Sequence, residues 1–147
     1  MLASSVLLSS NFSVPTSASE VLPGAGRLQF ERICGRTVLT RAIAASPLRV
    51  LNPQSAGPSS WVYLATYGGG LVGGDSLDIE IDTGPGASAL VATQASTKVY
   101  RSDLGASQRL RARVADDSLL VLLPDPVTAF SGSRYVQEQH LELEQSA

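Results

Sequence analysis

The chain has 147 residues, 44% of them hydrophobic and 16% charged, with a formal net charge of −2. That length accommodates one domain with a real core, and the composition suits a globular chain rather than a disordered one. The charge balance makes no case for nucleic acid or a membrane surface as a partner.

Residues 1–19 are rich in Ser and carry no charged side chain. The apolar run Val6-Leu7-Leu8 is too short for a signal-peptide core, and no Lys or Arg precedes it. Residues 1–23 are therefore expected to be a disordered extension, and residues 24–147 a single β domain. From Gly24 onward, short β-favouring runs alternate with turn signals. Leu28 and Phe30 alternate with Arg27, Gln29 and Glu31, and Arg36–Ile43 is rich in β-branched residues. Leu48–Leu51 is a brief strand ended by Asn52-Pro53, and residues 54–60 form a polar Gly/Pro/Ser loop. Trp61–Thr66 is apolar on both faces, which predicts a central strand.

The most informative stretch runs from Tyr67 to Arg101. Gly68, Gly69, Gly70, Gly73 and Gly74 crowd into seven positions, which points to a steric demand on the backbone. Gly68, Gly70 and Gly73 satisfy G-x-G-x-x-G, but a dinucleotide site needs a helix next, because its N-terminus holds the pyrophosphate. Here Leu77, Ile79 and Ile81 alternate with Asp78, Glu80 and Asp82, the period of a half-buried strand. No Gly-Lys-Ser or Gly-Lys-Thr is present, so the phosphate-loop pattern fails as well.

Thr83-Gly84-Pro85-Gly86 predicts a turn, and Ala87–Thr93 a strand of small residues. After a loop at Arg101–Ser107, Arg109, Arg111 and Arg113 alternate with Leu110, Ala112 and Val114. Cross-strand pairing with an acidic strand such as Asp78–Asp82 accounts for that arginine face. Leu119–Leu123 is continuously apolar and reads as a fully buried strand. Val127–Phe130 lies between two turn clusters, and Tyr135–Glu144 is the last strand. No sustained helical stripe occurs. About nine or ten short strands predict an all-β fold of layered sheets, leaving sandwich, barrel and solenoid open.

The chemistry-bearing residues are few. Cys34 is the single cysteine and His140 the single histidine. An internal disulfide and a Cys/His zinc site are thereby excluded, and the cysteine usage fits a reducing compartment. Cys34 is expected to be a small buried residue, and His140 to face solvent. Asp75, Asp78, Glu80 and Asp82 form a carboxylate cluster that could hold a hard cation transiently, although a solvated strand face explains the last three more simply. Asp75 stands apart, as a cap or brace of the glycine bend. Thr93, Gln94, Thr97, Lys98 and Tyr100 offer donors and acceptors beside that bend. They read either as a docking surface or polar passage, or as buried hydrogen bonding that fixes the loop.

The ordered set GGGLVGGD (residues 68–75), GPGA (84–87) and TQASTKVYRS (93–102) resembles the urease accessory protein UreD, or UreH, family. GRTVLT (35–40), PLRVLNP (47–53) and LLPDPVTAFSGSRYVQ (122–137) support the same resemblance, which covers roughly residues 24–143. It implies a mostly β protein with stacked sheets in a helical arrangement and few or no helices. It also implies a non-enzymatic scaffold in the cytoplasm that binds urease apoprotein and the F and G accessory proteins. The complex would support GTP-dependent nickel delivery, with the nucleotide site on the G protein and nickel meeting this chain only transiently. The docking or structural positions are then Gly69, Gly70, Gly73, Gly74, Asp75, Thr93, Gln94, Lys98 and Tyr100, with Asp75 the candidate nickel contact. Members of that family are about twice as long, and Leu141–Glu144 still alternates near the chain end, so an N-terminal half and an incomplete fold are expected. The alternatives are a small nucleotide-binding or hydrolytic enzyme built on the Gly-rich loop, and a non-functional truncated fragment.

Overall fold

The computed structural model describes residues 21–147, so most of the expected N-terminal extension lies outside the described residues. The strands are β1 (Ala25–Ile33), β2 (Arg36–Ala44), β3 (Leu48–Leu51), β4 (Ser60–Thr66), β5 (Ser76–Thr83), β6 (Ser88–Thr93), β7 (Thr97–Val99), β8 (Ala106–Val114), β9 (Leu119–Leu123), β10 (Val127–Ala129) and β11 (Tyr135–Leu143). The sole helical element among the described residues is a 3₁₀ turn at Tyr67–Gly69. The all-β expectation holds.

Three sheets share the strands. The first has the order β11-β8-β5-β1-β2, the second β3-β4-β6-β9, and the third contains β10 and β7. From β4 onward the chain visits the sheets in rotation, and each strand pairs in parallel with its equivalent one coil later. Ser60 of β4 faces Ala89 of β6, Ser76 of β5 faces Ser107 of β8, and Ser88 of β6 faces Leu119 of β9. Thr97 of β7 faces Val127 of β10, and Ala106 of β8 faces Tyr135 of β11. A coil of about thirty residues thus repeats, and the fold is a three-sided parallel solenoid, one of the three architectures the strand spacing left open.

The first hairpin starts the stack. Cys34 (φ 48) and Gly35 (φ 81) form a two-residue turn between β1 and β2, the positive-φ geometry that matches strand twist. Cys34 is consequently exposed, which corrects the expectation of a buried cysteine. The tip of a tight hairpin points into solvent whatever residue occupies it.

The core fills the solenoid. Phe30 and Leu28 from β1 and Ile79 and Ile81 from β5 meet Val62 from β4 and Val91 from β6, all buried. These are the apolar partners of alternating strands, so period two alone selected them. The Leu119–Leu123 run departs from expectation. Leu120 and Leu122 pack against the core, but Leu119 and Leu123 are 58% and 61% exposed. In a solenoid sheet one face of each strand meets the interior and the other meets solvent, so Leu119, Val121 and Leu123 point outward. A continuous apolar run cannot reveal that orientation. Trp61–Thr66 does lie inside the sheet, between β3 and β6, yet Trp61 is exposed on its outer face.

The last coil is tied back by charge. Arg113 donates to Glu144 at 2.8 Å, and the Asp116 N–H donates to the same carboxylate at 3.1 Å. These two bonds hold the Glu144 carboxyl below its ordinary range. A lowered folded-state pKa contributes stability that is fully present above the unfolded value and lost as pH falls through the folded one. Glu144→Gln should therefore lower the urea midpoint at neutral pH. It should leave the midpoint unchanged in acid, where the wild-type carboxyl is protonated; equal losses at both pH values would contradict the linkage.

Candidate functional site

The glycine bend forms the third side of the first complete coil. The Leu71 N–H donates to the Lys98 carbonyl at 2.7 Å, and the Tyr100 N–H donates to the Leu71 carbonyl at 2.9 Å. Leu71 thereby bridges Val99 in parallel and is fully buried. This close docking explains the glycines. A Cβ on Gly70 would lie 2.5 Å from the Lys98 carbonyl oxygen and 2.8 Å from the Tyr100 ring. A Cβ on Gly73 would overlap the Ser102 side chain. Gly69 and Gly74 take left-handed backbone at the two ends of the bend. The bend leads directly into β5 rather than into a helix, so the geometry that holds a pyrophosphate at a helix N-terminus is not what these glycines build.

Asp75 closes the bend as a brace. Its Oδ2 accepts the Val72 N–H at 2.8 Å, its own N–H donates to the Val72 carbonyl at 3.0 Å, and its carbonyl accepts the Ser107 N–H at 2.9 Å. A short acidic side chain that bonds backbone N–H groups nearby favours such turns. Asp78, Glu80 and Asp82 point away on the outer face of β5 and pair with arginines. Arg111 reaches Asp78 at 2.8 Å and Glu80 at 3.1 Å, and Arg27 approaches Glu80 and Asp82 at 3.8 and 3.7 Å. The expected pairing of acidic and arginine strands is thus present, in parallel register. Among the described residues no group of three or more His, Cys, Asp or Glu side chains converges as a metal site would.

Thr93, Gln94 and Lys98 gather at the corner between β6 and β7. Together with Gly69 they line the mouth of a recess of about 320 Å³, whose walls include Leu48, Leu64, Leu77 and Ile79. Thr93 is committed to structure. Its hydroxyl donates to Asp125 at 2.9 Å and accepts the Asp125 N–H at 2.7 Å, which pins the corner of the following coil. Gln94 and Lys98 are exposed. Tyr100 faces outward and stacks on Phe130, with ring centroids 5.3 Å apart and planes 19° from parallel. The two readings of this segment therefore divide by residue: Thr93 fixes the loop, whereas Gln94, Lys98 and Tyr100 present a surface.

Sequence reasoning missed three contributors. Phe130 and Asp125 belong to the next coil, and their signal was the thirty-residue spacing of Tyr100 and Phe130. The third is the outer face of the second sheet. Trp61 is aligned with Leu90, and Leu90 with Val121. Trp61, Leu119, Val121 and Leu123 are 45%, 58%, 38% and 61% exposed. A contiguous exposed apolar face of this kind is a candidate protein-interaction surface.

The fold is thus a parallel β-solenoid with a glycine-braced corner and an apolar outer face on its second sheet. The family model for the UreD urease accessory protein matches residues 23–147. The chain is 53% identical over 124 residues to the "Urease accessory protein UreD" of Sorangium cellulosum, an alignment covering 84% of this chain and 40% of that protein. It is 47% identical over 125 residues to the Anaeromyxobacter protein of the same name, covering 84% and 42%. It is 44% identical over 129 residues to "Urease accessory protein D" of Oryza sativa subsp. japonica, covering 82% and 42%. The chain belongs to the UreD urease accessory protein family, and it spans about 40% of the length of these relatives.

Gly70→Ala should be destabilising by about 1–3 kcal/mol, because the backbone of Lys98 must give way to the methyl group. Thermal or urea unfolding would register that loss. A neutral result would show that the bend is not held against β7 as described.

Proposed function

We propose that this protein is a non-enzymatic urease accessory scaffold in the cytoplasm. It binds urease apoprotein and the F and G accessory proteins and supports nickel insertion into the urease active site. The observation that carries this reading is the exposed apolar outer face of the second sheet, centred on Trp61, Val121 and Leu123. Burying that face against a partner would remove from water side chains that are individually worth about 1.5–3 kcal/mol when fully covered. The corner adds polar specificity through Gln94 and Lys98 at the rim of the recess, and through the exposed Tyr100 nearby. The urease assignment itself comes from the family, whose curated members are named urease accessory proteins.

Nickel is cargo in this reading. It meets the chain transiently, with Asp75 as the expected contact, and nucleotide chemistry resides on the G protein. Equilibrium dialysis should find no tightly retained nickel on the purified chain, and the chain alone should turn over neither urea nor GTP. Tight retention or turnover would overturn the scaffold reading.

Co-expression of the chain with the urease subunits and the F accessory protein, followed by pull-down, tests the docking face. The wild type should co-purify. The Trp61→Glu/Leu123→Glu variant should lose at least about tenfold of the recovered complex while keeping its β circular dichroism, since buried aromatic anchors dominate interfaces. Undiminished recovery would remove this face from the interface. No recovery of the wild type, with a full-length relative binding in parallel, would show that the remaining family length is required.

A further inference from the structure

The recess at the corner of β6 and β7 opens into the interior of the solenoid, and its deep walls are aliphatic. Leu48 from β3, Leu64 from β4, and Leu77 and Ile79 from β5 form them, and each is at most 7% exposed. The space in front of these side chains is about 320 Å³, at the small end of the range of ligand pockets, about 300–1,000 Å³. No residue of β9, β10 or β11 contributes to the lining. The recess is therefore a feature of the first coils of the stack. No aromatic ring lines it, so its apolar surface suits a flexible hydrocarbon chain that can fill an irregular space.

The polar part of the lining carries one sign of charge. Gln94, Ser96, Thr97 and Lys98 contribute from the corner and Gln108 from β8, whereas no Asp or Glu is present. Lys98 is the only lysine of the chain. Among the described residues it makes no ion pair, unlike Arg111 on the first sheet, which holds Asp78 at 2.8 Å. An ammonium beside apolar walls attracts an anion more strongly than one surrounded by water, because the effective dielectric is lower. The amides and hydroxyls around it can donate hydrogen bonds to an anionic oxygen. Aliphatic depth and a cationic, donor-rich mouth together describe a site for a chain that ends in one carboxylate.

We propose that this recess binds a medium-chain aliphatic monocarboxylate, with its hydrocarbon tail against Leu64, Leu77 and Ile79 and its carboxylate at the mouth on Lys98. Tail and head contribute separately. Each methylene taken out of water tightens binding about fourfold until the recess is full, and the carboxylate sets the preference for anion over cation. The site stands independently of the urease reading.

The test is calorimetric titration of the full chain with hexanoate, octanoate, octanol and octylamine, each below its aggregation concentration. Octanoate should saturate a single site, at least about tenfold more tightly than octylamine and about tenfold more tightly than hexanoate, which is two methylenes shorter. Lys98→Met keeps the aliphatic stem and removes the charge. It should weaken octanoate at least about fivefold and leave octanol unchanged, because only the carboxylate uses the ammonium. Methyl NMR should place the octanoate-induced shifts at Leu64, Leu77 and Ile79. Shifts confined to Val121 and Leu123 would mean adsorption to the exposed face of the second sheet, and would overturn the proposal. Absence of binding, equal affinity for octanoate and octylamine, or an octanoate affinity unchanged by Lys98→Met would overturn it as well.

Discussion

The structure depends on one constraint, the parallel backbone ladder between successive coils. Parallel strands cannot be joined by a tight turn, so the chain must travel away and return before it can pair with itself. Here it returns through two other sheets, and the trip takes about thirty residues: Ser76 meets Ser107, and Thr97 meets Val127. Once that length is set, everything stacks. Apolar positions fall above apolar positions to make a continuous core, and corners fall above corners. The loops absorb small differences in coil length, since Ser60 pairs with Ala89 whereas Ser88 pairs with Leu119.

Two kinds of local chemistry hold that register. At the corners, close backbone approach and short polar bonds act directly. Gly70 admits the Lys98 carbonyl, and Thr93 exchanges two hydrogen bonds with Asp125 one coil later. On the first sheet the columns of opposite charge act across strands. Exposed ion pairs contribute little stability individually, but their arrangement penalises slipped pairings, since a one-residue shift would turn charged side chains toward the interior. The Arg113–Glu144–Asp116 contacts apply the same logic to the last strand.

How much was legible in the sequence follows from the range of each interaction. Alternation is local, so β1, β5 and β8 were readable, and the matching of Asp78–Asp82 with Arg109–Arg113 followed from charge alone. The demand for glycine in residues 68–74 was also visible, although its cause, β7 lying against the bend, was not. Whether Leu119–Leu123 is buried on both faces depends on whether a second layer packs on the outside of the sheet, and no local pattern carries that information. Cys34 was misread for a related reason, since a composition-based preference for burial yields to the geometry of a two-residue turn. The three-residue strands β7 and β10 fall below the length at which alternation can be recognised. The coil repeat that reveals them is a spacing without sequence identity, with Tyr100 and Phe130 as its clearest trace.

A solenoid of this kind separates its surfaces by chemistry. The first sheet is charged outward, the second apolar outward, and the third side carries the glycine bend and the Tyr100–Phe130 stack. Because each side is built from the same strands in successive coils, a surface feature is repeated along the axis rather than confined to one loop. The core of β-branched and aliphatic residues then serves as a rigid spacer that keeps the three sides at fixed orientation. That arrangement holds chemically different surfaces on separate sides of one rigid core.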